Sequence, residues 1–162
     1  NAWLGTFTYD TNNNMTDALY LNWDGTQWVN SWHEIYTYDT NNNMTNALYQ
    51  NWDGTQWINN QQETNTYDAN NNRTSFLWQT WDGTQLVNEA QWTYTYDANN
   101  NQIGELQEDW DDGQWVVVEQ ATNIYDANNN RTSREKWQWS FREKTSSATG
   151  AKRMNRGGTP AR

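Results

Sequence analysis

The sequence contains no cysteine, one proline and one histidine among 162 residues. Without cysteine the chain can form neither disulfides nor thiolate metal sites, and redox chemistry gives no information on its compartment. No apolar run reaches membrane-spanning length, so we expect no membrane insertion. Residues 1–130 hold 18 acidic residues and a single basic one, Arg73. Because an acidic body repels nucleic acid and anionic membranes, we expect neither as a partner.

Aromatic residues are what the chain has instead of an aliphatic core. Its mean hydropathy of −1.24 is typical of a disordered chain, yet it contains 13 Trp and 9 Tyr, and disordered chains are poor in aromatics. A large aromatic side chain can bury roughly 150–250 Å². We therefore expect a folded chain whose buried apolar area is carried by rings.

The pair Tyr-Asp recurs five times at intervals of 29 residues without insertion or deletion. The pairs are Tyr9-Asp10, Tyr38-Asp39, Tyr67-Asp68, Tyr96-Asp97 and Tyr125-Asp126. A second marker, Trp-Asp-Gly or a variant of it, keeps the same step. Its tryptophans are Trp23, Trp52, Trp81 and Trp110, with Trp139 in the same phase. A fixed period of this length predicts a repeat array over residues 1–141 in which each unit stacks on its neighbours.

Each repeat is predicted to be an antiparallel β-hairpin. Residues 16–23 alternate in character, as in a strand, and Asp24-Gly25 is a turn signal that joins antiparallel strands. Residues 28–38 are rich in Trp, Tyr, Val, Ile and Thr, which suit a pleated surface, and the Asx-rich residues 39–43 close the repeat. We expect no helix in the body. The fold predicted is an all-β extended, twisted or superhelical sheet, with a closed ten-strand up-and-down barrel as the alternative.

Because the step is constant, equivalent residues form columns across the sheet. Neighbours in one column lie two strands, or roughly 10 Å, apart. This spacing excludes direct ring stacking within a column unless a residue of the intervening strand bridges the gap, whereas Trp23 and Trp28 are expected to be cross-strand neighbours. The aromatic columns contain Trp23, Trp52, Trp81 and Trp110 before the turn, and Trp28, Trp57 and Trp115 after it.

The two ends of the array are complementary half-repeats. Residues 1–9 align with a return strand and residues 132–141 with an outgoing strand, and unpaired edges are templates for pairing with another chain. Two physical outcomes follow: head-to-tail assembly into a fibre, or closure of the first strand onto the last in a barrel. A third interpretation is that the sequence samples a longer array. The residues assigned to assembly are Trp3, Phe7, Tyr9, Trp137, Trp139 and Phe141. The basic residues 142–162 follow as a tail. That tail is solvated, binds nucleic acid, or lies against the acidic body of its own or a neighbouring subunit.

The stretch Tyr94-Thr95-Tyr96-Asp97-Ala98-Asn99-Asn100-Asn101, with its equivalents in the other copies, resembles the bacterial YD (RHS-type) repeats. Their motif reads Tyr-x-Tyr-Asp-x-x-Gly-x-x-Thr, and Asn100 stands here at the glycine position. The likeness covers all five turns and about ten residues of each repeat. The resemblance implies extracellular β-hairpin arrays, some of which serve in surface adhesion.

Two kinds of polar site recur in the turns. Asp-x-Asn-x-Asn offers oxygen ligands in a calcium-like spacing, although the glycine and the bidentate acid of such loops are missing. Either weak Ca²⁺ binding or an Asx turn that uses these side chains on its own backbone would explain the pattern. The aspartates are Asp10, Asp39, Asp68, Asp97 and Asp126. Asn-x-Thr acceptor triplets, which suit either glycosylation or turn chemistry, lie at Asn14, Asn43, Asn72 and Asn130.

Catalytic chemistry is poorly represented, and we expect no enzyme and no required cofactor. His33 is the one histidine, and Gln62, Gln91 and Gln120 replace it in other copies. The function predicted is an extracellular or cell-surface structural and adhesive protein that polymerises with itself head-to-tail. The alternative is a carbohydrate-binding module, because sugar rings stack on aromatic columns and their hydroxyls bond amides. Packing of the sheet is the structural explanation of the same columns.

Overall fold

A computed structural model describes residues 2–139, and within that range the chain forms ten β-strands and no helix. The strands are β1 (Trp3–Tyr9), β2 (Met15–Trp23), β3 (Trp28–Tyr38), β4 (Met44–Trp52), β5 (Trp57–Tyr67), β6 (Arg73–Trp81), β7 (Leu86–Tyr96), β8 (Gln102–Asp111), β9 (Gln114–Tyr125) and β10 (Arg131–Gln138). The predicted array of antiparallel hairpins is therefore confirmed. Phe141 and the tail 142–162 lie outside the described residues.

The strands form one sheet in sequence order, from β1 to β10. Each strand lies beside the strands that precede and follow it along the chain, as in an up-and-down meander. Since β1 and β10 stand at opposite ends of that order, the sheet is not closed and the alternative of a barrel is wrong. The described part of the chain contains no helix long and apolar enough to cross a membrane.

The chain divides into two compact units, Asn1–Glu89 and Ala90–Arg162, here called unit 1 and unit 2. In both units the hairpins keep the same register. Leu19 lies opposite His33, Leu48 opposite Gln62, and Leu106 opposite Gln120. In all three hairpins a β-bulge lies between this pair of residues and the Asp-Gly turn. The repeat is therefore one of backbone geometry as well as of sequence.

In the most buried row of the sheet, four of five cross-strand pairs join a small side chain to a long one, and the fifth joins Tyr94 to Glu105. Ala18 and Ala47 are fully buried, and Asn65 and Asn123 are nearly so. Their cross-strand partners have long side chains that can cover them. The pairs are Phe7 with Ala18, Tyr36 with Ala47, Phe76 with Asn65, and Arg134 with Asn123. In this row buried area comes from large residues lying over small ones, as the aromatic composition predicted.

One pair of rings within a column comes close. Tyr49 and Trp78 belong to the same column, and their ring centroids are 6.1 Å apart with the planes tilted at 44°. The intervening strand carries Glu63, whose carboxylate accepts a 2.7 Å hydrogen bond from the Tyr49 hydroxyl. The two rings are tilted rather than stacked, so the contact does not contradict the exclusion of direct ring stacking within a column.

Candidate functional site

The Tyr-Asp turns are held by their own aspartates. Asp10 Oδ1 accepts hydrogen bonds from the backbone N–H groups of Asn12 and Asn14 at 2.8 and 2.9 Å, and Oδ2 accepts from the Asn14 side-chain amide at 3.0 Å. Asn13 has a φ of 64°, a left-handed conformation that asparagine tolerates well. The other four turns repeat both features. Asparagine at this position thus supplies the left-handed backbone conformation that the turn requires.

These bonds also set the acidity of the turn. The side-chain hydrogen bond from Asn14, together with the backbone bonds, lowers the pKa of Asp10 below its ordinary value. The same causes lower the pKa of Asp39, Asp68 and Asp97. At Asp126 the backbone bond from Asn130 is the largest cause. The five aspartates therefore act as anionic acceptors for the turn backbone at neutral pH.

Two further bonds connect successive repeats. The Asn14 amide donates to the side-chain oxygen of Asn42 in the next turn at 2.8 Å, and Asn43 to Asn71 at 2.9 Å. In unit 2, Asn101 donates to Asn129 at 3.1 Å. The tyrosine of the motif reaches the other way, to a backbone carbonyl of the preceding repeat. The bonds are Tyr38 to Met15, Tyr67 to Met44, and Tyr125 to Gln102.

The second kind of turn, here called the Trp turn, lies at the Trp-Asp-Gly marker and joins the two strands of each hairpin. Asp24 Oδ1 accepts from the N–H groups of Thr26 and Gln27 and from the Thr26 hydroxyl, and Gly25 adopts a φ of 107°. In the fourth copy Asp112 and Gly113 both have positive φ, which is the pattern of a two-residue type I′ turn. The turn signal read from Asp-Gly is confirmed.

The tryptophans flanking these turns meet in pairs. Trp23 and Trp28 lie opposite each other with ring centroids 5.4 Å apart, edge to face. The equivalent pairs, at 5.1 and 4.9 Å, are Trp52 with Trp57 and Trp110 with Trp115. Trp23, Trp28 and Trp110 are among the exposed large side chains of the described chain, and Trp81 is half-buried at the end of β6. The predicted cross-strand contact of Trp23 with Trp28 is confirmed.

A network of acids and aromatics covers one face of unit 1. Glu34 accepts hydrogen bonds from the Trp32 indole at 2.8 Å and from the Tyr36 hydroxyl at 2.6 Å. Burial and then the bond to Glu34 raise the pKa of Tyr36 well above its ordinary value. Sequence reasoning missed this network. Part of its signal was present, since Glu34 has Trp32 and Tyr36 two positions away and Glu63 shares its repeat phase.

In unit 2, cations lie beside acids on the equivalent face. Arg134 donates to Glu105 at 3.1 Å, and Lys136 Nζ lies 2.8 Å from a carboxylate oxygen of Glu119. Burial raises the pKa of Glu119, but hydrogen bonds from Lys136 and Gln138 and the nearby positive charges outweigh it, so that the net shift is downward. Both cations belong to β10, the last described strand.

The first strand presents the apolar side chains expected of an assembly edge. Trp3 is 68% exposed, Tyr9 59% and Phe7 44%. On β10, Trp137 is half-buried. Trp139 lies just beyond β10, and its backbone N–H donates to the Val118 carbonyl at 2.9 Å. The structure therefore places Trp3, Phe7 and Tyr9 on one end strand and Trp137 at the other, while Phe141 falls outside the described residues.

The remaining polar candidates lie in the turns. Among residues 2–139 no three His, Asp or Glu side chains gather to hold a metal ion, and calcium binding by the turn aspartates stays a prediction. The side-chain amides of Asn14 and Asn43 each donate two hydrogen bonds. Asn72 also donates to its own turn aspartate, and Asn130 does so from an exposed position. Glycosylation at these asparagines stays a prediction.

The lone histidine is part of the sheet surface of unit 1. His33 Nε2 lies 2.6 Å from Asp17, its Nδ1 lies 3.3 Å from the Gln50 side chain, and its ring centroid is 5.2 Å from that of Trp57. The side chain is thus fixed on both ring nitrogens. Gln91, its counterpart in unit 2, likewise bonds an acid, Glu108, at 2.7 Å, so this position serves cross-strand hydrogen bonding.

No family model and no curated protein matches the chain. Among solved structures it is similar to a protein of unknown function from Bacteroides fragilis, with a TM-score of 0.58 and 14% identity over 75% of this chain and 91% of that one. It is also similar to a DUF3836 family protein from Bacteroides vulgatus, with a TM-score of 0.41 and 24% identity over 52% of this chain and 90% of that one. The first likeness concerns the fold alone. The resemblance to YD repeats stays a prediction.

Proposed function

We propose that this chain is an extracellular structural or adhesive repeat protein whose copies assemble head-to-tail, with β1 of one copy pairing with β10 of the next. The observation that carries the proposal is the set of bonds by which successive repeats within each unit hold one another. A tyrosine hydroxyl and an asparagine amide make these bonds in both units. At each end of the sheet, one residue of the same repeat phase lacks the neighbouring repeat with which it would form this bond.

Tyr9 and Asn130 are those two residues. Among residues 2–139 the Tyr9 hydroxyl has no hydrogen-bond partner, whereas Tyr38 and Tyr125, in the same phase, each bond a carbonyl of the preceding repeat. Continued across a joint between two copies, the phase puts Tyr9 of one copy at the Arg131 carbonyl of the other. It likewise puts the Asn130 amide at the Asn13 side chain. Each joint would then repeat the bonds made inside the array.

The chemistry of the two end strands favours unlike pairing. β1 has no charged residue and exposes large apolar side chains, which makes it a template for another strand. β10 carries Arg131, Arg134 and Lys136 against one acid, Glu135. Two β10 edges would repel each other, because like charges on facing strands are destabilising. Pairing of β10 with β1 avoids that repulsion, and it leaves chains joined in one direction.

Electron microscopy and sedimentation of the purified full chain test the proposal. The wild type is expected to form filaments of constant width at high protein concentration, and deletion of residues 1–9 should leave folded single subunits. Tyr9→Phe should raise the concentration needed for assembly. Tyr125→Phe, the matched control, removes the equivalent bond inside the array and should leave assembly unchanged. Filament growth unaffected by the deletion would refute pairing through β1.

Carbohydrate binding is a second candidate, favoured by the exposed tryptophan pairs at the Trp turns. Edge-to-face pairing leaves ring faces open to solvent at Trp23 and Trp28, which are 43% and 41% exposed, and sugar rings stack on such faces. Monodisperse particles that bind polysaccharide, and that lose binding in Trp23→Ala with Trp28→Ala, would support it. Binding that survives these two changes would count against it.

A further inference from the structure

We infer that the joint between two copies has one fixed register, in which Arg134 of one copy lies opposite Gly5 of the next and packs against the rings of Trp3 and Phe7. This inference rests on the proposed head-to-tail assembly and specifies its interface. The partner is a second copy of this chain, and the two copies recognise each other by packing a cation against an aromatic surface.

The register follows from the hairpins already formed. β10 has the phase of β2, and β1 has the phase of β3. Within the sheet this pair of phases is always joined in the same way: Ala18 lies opposite Glu34 and Ala47 opposite Glu63. The equivalent positions in β10 and β1 are Arg134 and Gly5. The same phase puts Ser133 opposite Thr6, Glu135 opposite Leu4, and Lys136 opposite Trp3.

Side-chain size supports this alignment. In three hairpins of the sheet this position combines a small residue with a long one: Ala18 with Glu34, Ala47 with Glu63, and Ala121 with Glu105. Gly5 with Arg134 obeys the same rule. A shift of two residues would put Arg134 opposite Trp3 or Phe7 and would leave Gly5 opposite Thr132 or Lys136. The alignment that repeats the hairpins of the sheet is the one that joins Arg134 to Gly5.

The surface that Arg134 would meet is aromatic and is built around the glycine. A Cβ atom added at Gly5 would lie 2.9 Å from Phe7 Cζ and 3.2 Å from Trp3 Cζ3. The two rings therefore lie over Gly5 and leave no room for a side chain. Residues opposite each other in an antiparallel pair share one face of the sheet. A guanidinium placed there faces two rings, the arrangement of a cation–π contact.

The cations are already positioned on that face. Glu105 accepts a hydrogen bond from Arg134, and Glu119 lies against Lys136. These acids belong to the two preceding strands, so they fix the basic side chains without occupying the open edge of β10. Trp3, at 68% exposure, is the most exposed large apolar side chain of the described residues. In the joint the exposed Trp3 ring becomes covered, and a cation already held by an acid gains a second partner.

Cysteine pairing tests the register directly, because the chain has no cysteine of its own. Two double variants, Leu4→Cys with Glu135→Cys and Thr6→Cys with Ser133→Cys, join residues that the register sets opposite. Opposite Cβ atoms lie about 4.5–5.5 Å apart, near disulfide reach, and diagonal neighbours roughly 7–8 Å. On mild oxidation of the assembled protein, both variants should give a ladder of linked subunits. The exchanged combinations, Thr6→Cys with Glu135→Cys and Leu4→Cys with Ser133→Cys, should not.

A variant series tests the cation. Arg134→Gln should raise the concentration needed for assembly by roughly two- to thirtyfold, the range expected for one cation–π contact. Arg131→Gln removes an equal charge elsewhere on β10 and should have a smaller effect. Filaments that form without a ladder, or with a ladder from the exchanged cysteines, would overturn the register and leave assembly standing. Absence of filaments from the wild type would instead refute the proposed function.

Discussion

Unit 1 and unit 2 use one backbone pattern and stabilise their sheet acids differently. In unit 1 neutral groups hold the acids: Trp32 and Tyr36 donate to Glu34, and Tyr49 to Glu63. In unit 2 cations of β10 lie beside Glu105 and Glu119, while Glu108 is bonded by the neutral Gln91. The turns do not differ in this way, because the Tyr-Asp aspartates make the same bonds throughout.

The turn residues and the residues on the faces of the sheet therefore have different roles within the repeat. The turn residues and the motif tyrosine fix strand spacing and register, and they are nearly constant. The face positions vary from copy to copy: Tyr36 lies opposite Ala47 in one pair of strands, and its equivalent Tyr94 lies opposite Glu105 in another. A repeat protein can then alter its surface chemistry from one end to the other while its neighbour contacts stay the same. The end strands, apolar in β1 and basic in β10, are the extremes of that change.

The largest effect is expected from placing a large side chain at the buried position of Ala47 in unit 1. Ala47 is fully buried between Tyr36 and Glu63. Ala47→Phe puts two aromatic side chains opposite each other, and overpacking of this kind costs about 1–3 kcal/mol. Urea unfolding followed by circular dichroism measures the loss.

The third copy supplies the rescue for that variant. There Phe76 occupies the equivalent position and its partner is Asn65. Tyr36→Asn, added to Ala47→Phe, recreates that pair in the second copy and should recover part of the lost stability. If the double variant is no more stable than Ala47→Phe, size pairing does not control this row.

A smaller effect is expected above pH 10, and it should come from the neutral donors of unit 1. Burial, followed by the hydrogen bond to a neighbouring acid, raises the pKa of Tyr36 and of Tyr49 above the ordinary value of 10.0. A raised pKa means that the stabilisation is complete below the unfolded-state value and is lost as pH rises toward the folded-state value. The free energy of unfolding should therefore fall above pH 10.

Phenylalanine variants test whether Tyr36 and Tyr49 cause the fall in the free energy of unfolding above pH 10. Tyr36→Phe with Tyr49→Phe removes both ionisable hydroxyls, so its stability should be lower at neutral pH and flatter between pH 9 and pH 11. The wild type, measured over the same pH range, is the reference. A double variant with the wild-type slope would contradict the assignment to these two hydroxyls.

Sequence reasoning predicted the backbone well because the signals were local and periodic. The 29-residue step, the Asp-Gly turns and the alternation of residues 16–23 gave the hairpin, its strand ends and the contact of Trp23 with Trp28. Positive φ at Asn13 and its equivalents agrees with an Asx-rich turn. Such features depend on residues that are close in the chain, where turn chemistry and side-chain alternation dominate.

The candidate site was less accessible from sequence because it depends on residues far apart in the chain. The link from Asn14 to Asn42 and the reach of Tyr38 to Met15 require the stagger between strands, which a bulge in each hairpin sets. The contact of Tyr49 with Trp78 depends on which side chain lies between them. Columns gave the spacing of Cα atoms but not the direction in which long side chains lean.

The smallest effect is expected for the cation pairs of unit 2. Lys136 is 44% exposed and Glu119 14%, and partly exposed pairs contribute about 0.2–1 kcal/mol and are screened by salt. Lys136→Gln should lose stability within that range at low salt and match the wild type at high salt.

The pKa of Glu119 is lowered from 4.5, so its contribution is present above that pH and is lost as pH falls below it. The variant should therefore show a weaker loss in acid than the wild type. Equal acid profiles, or a difference that survives high salt, would mean that Glu119 is held by Gln138 rather than by the charge.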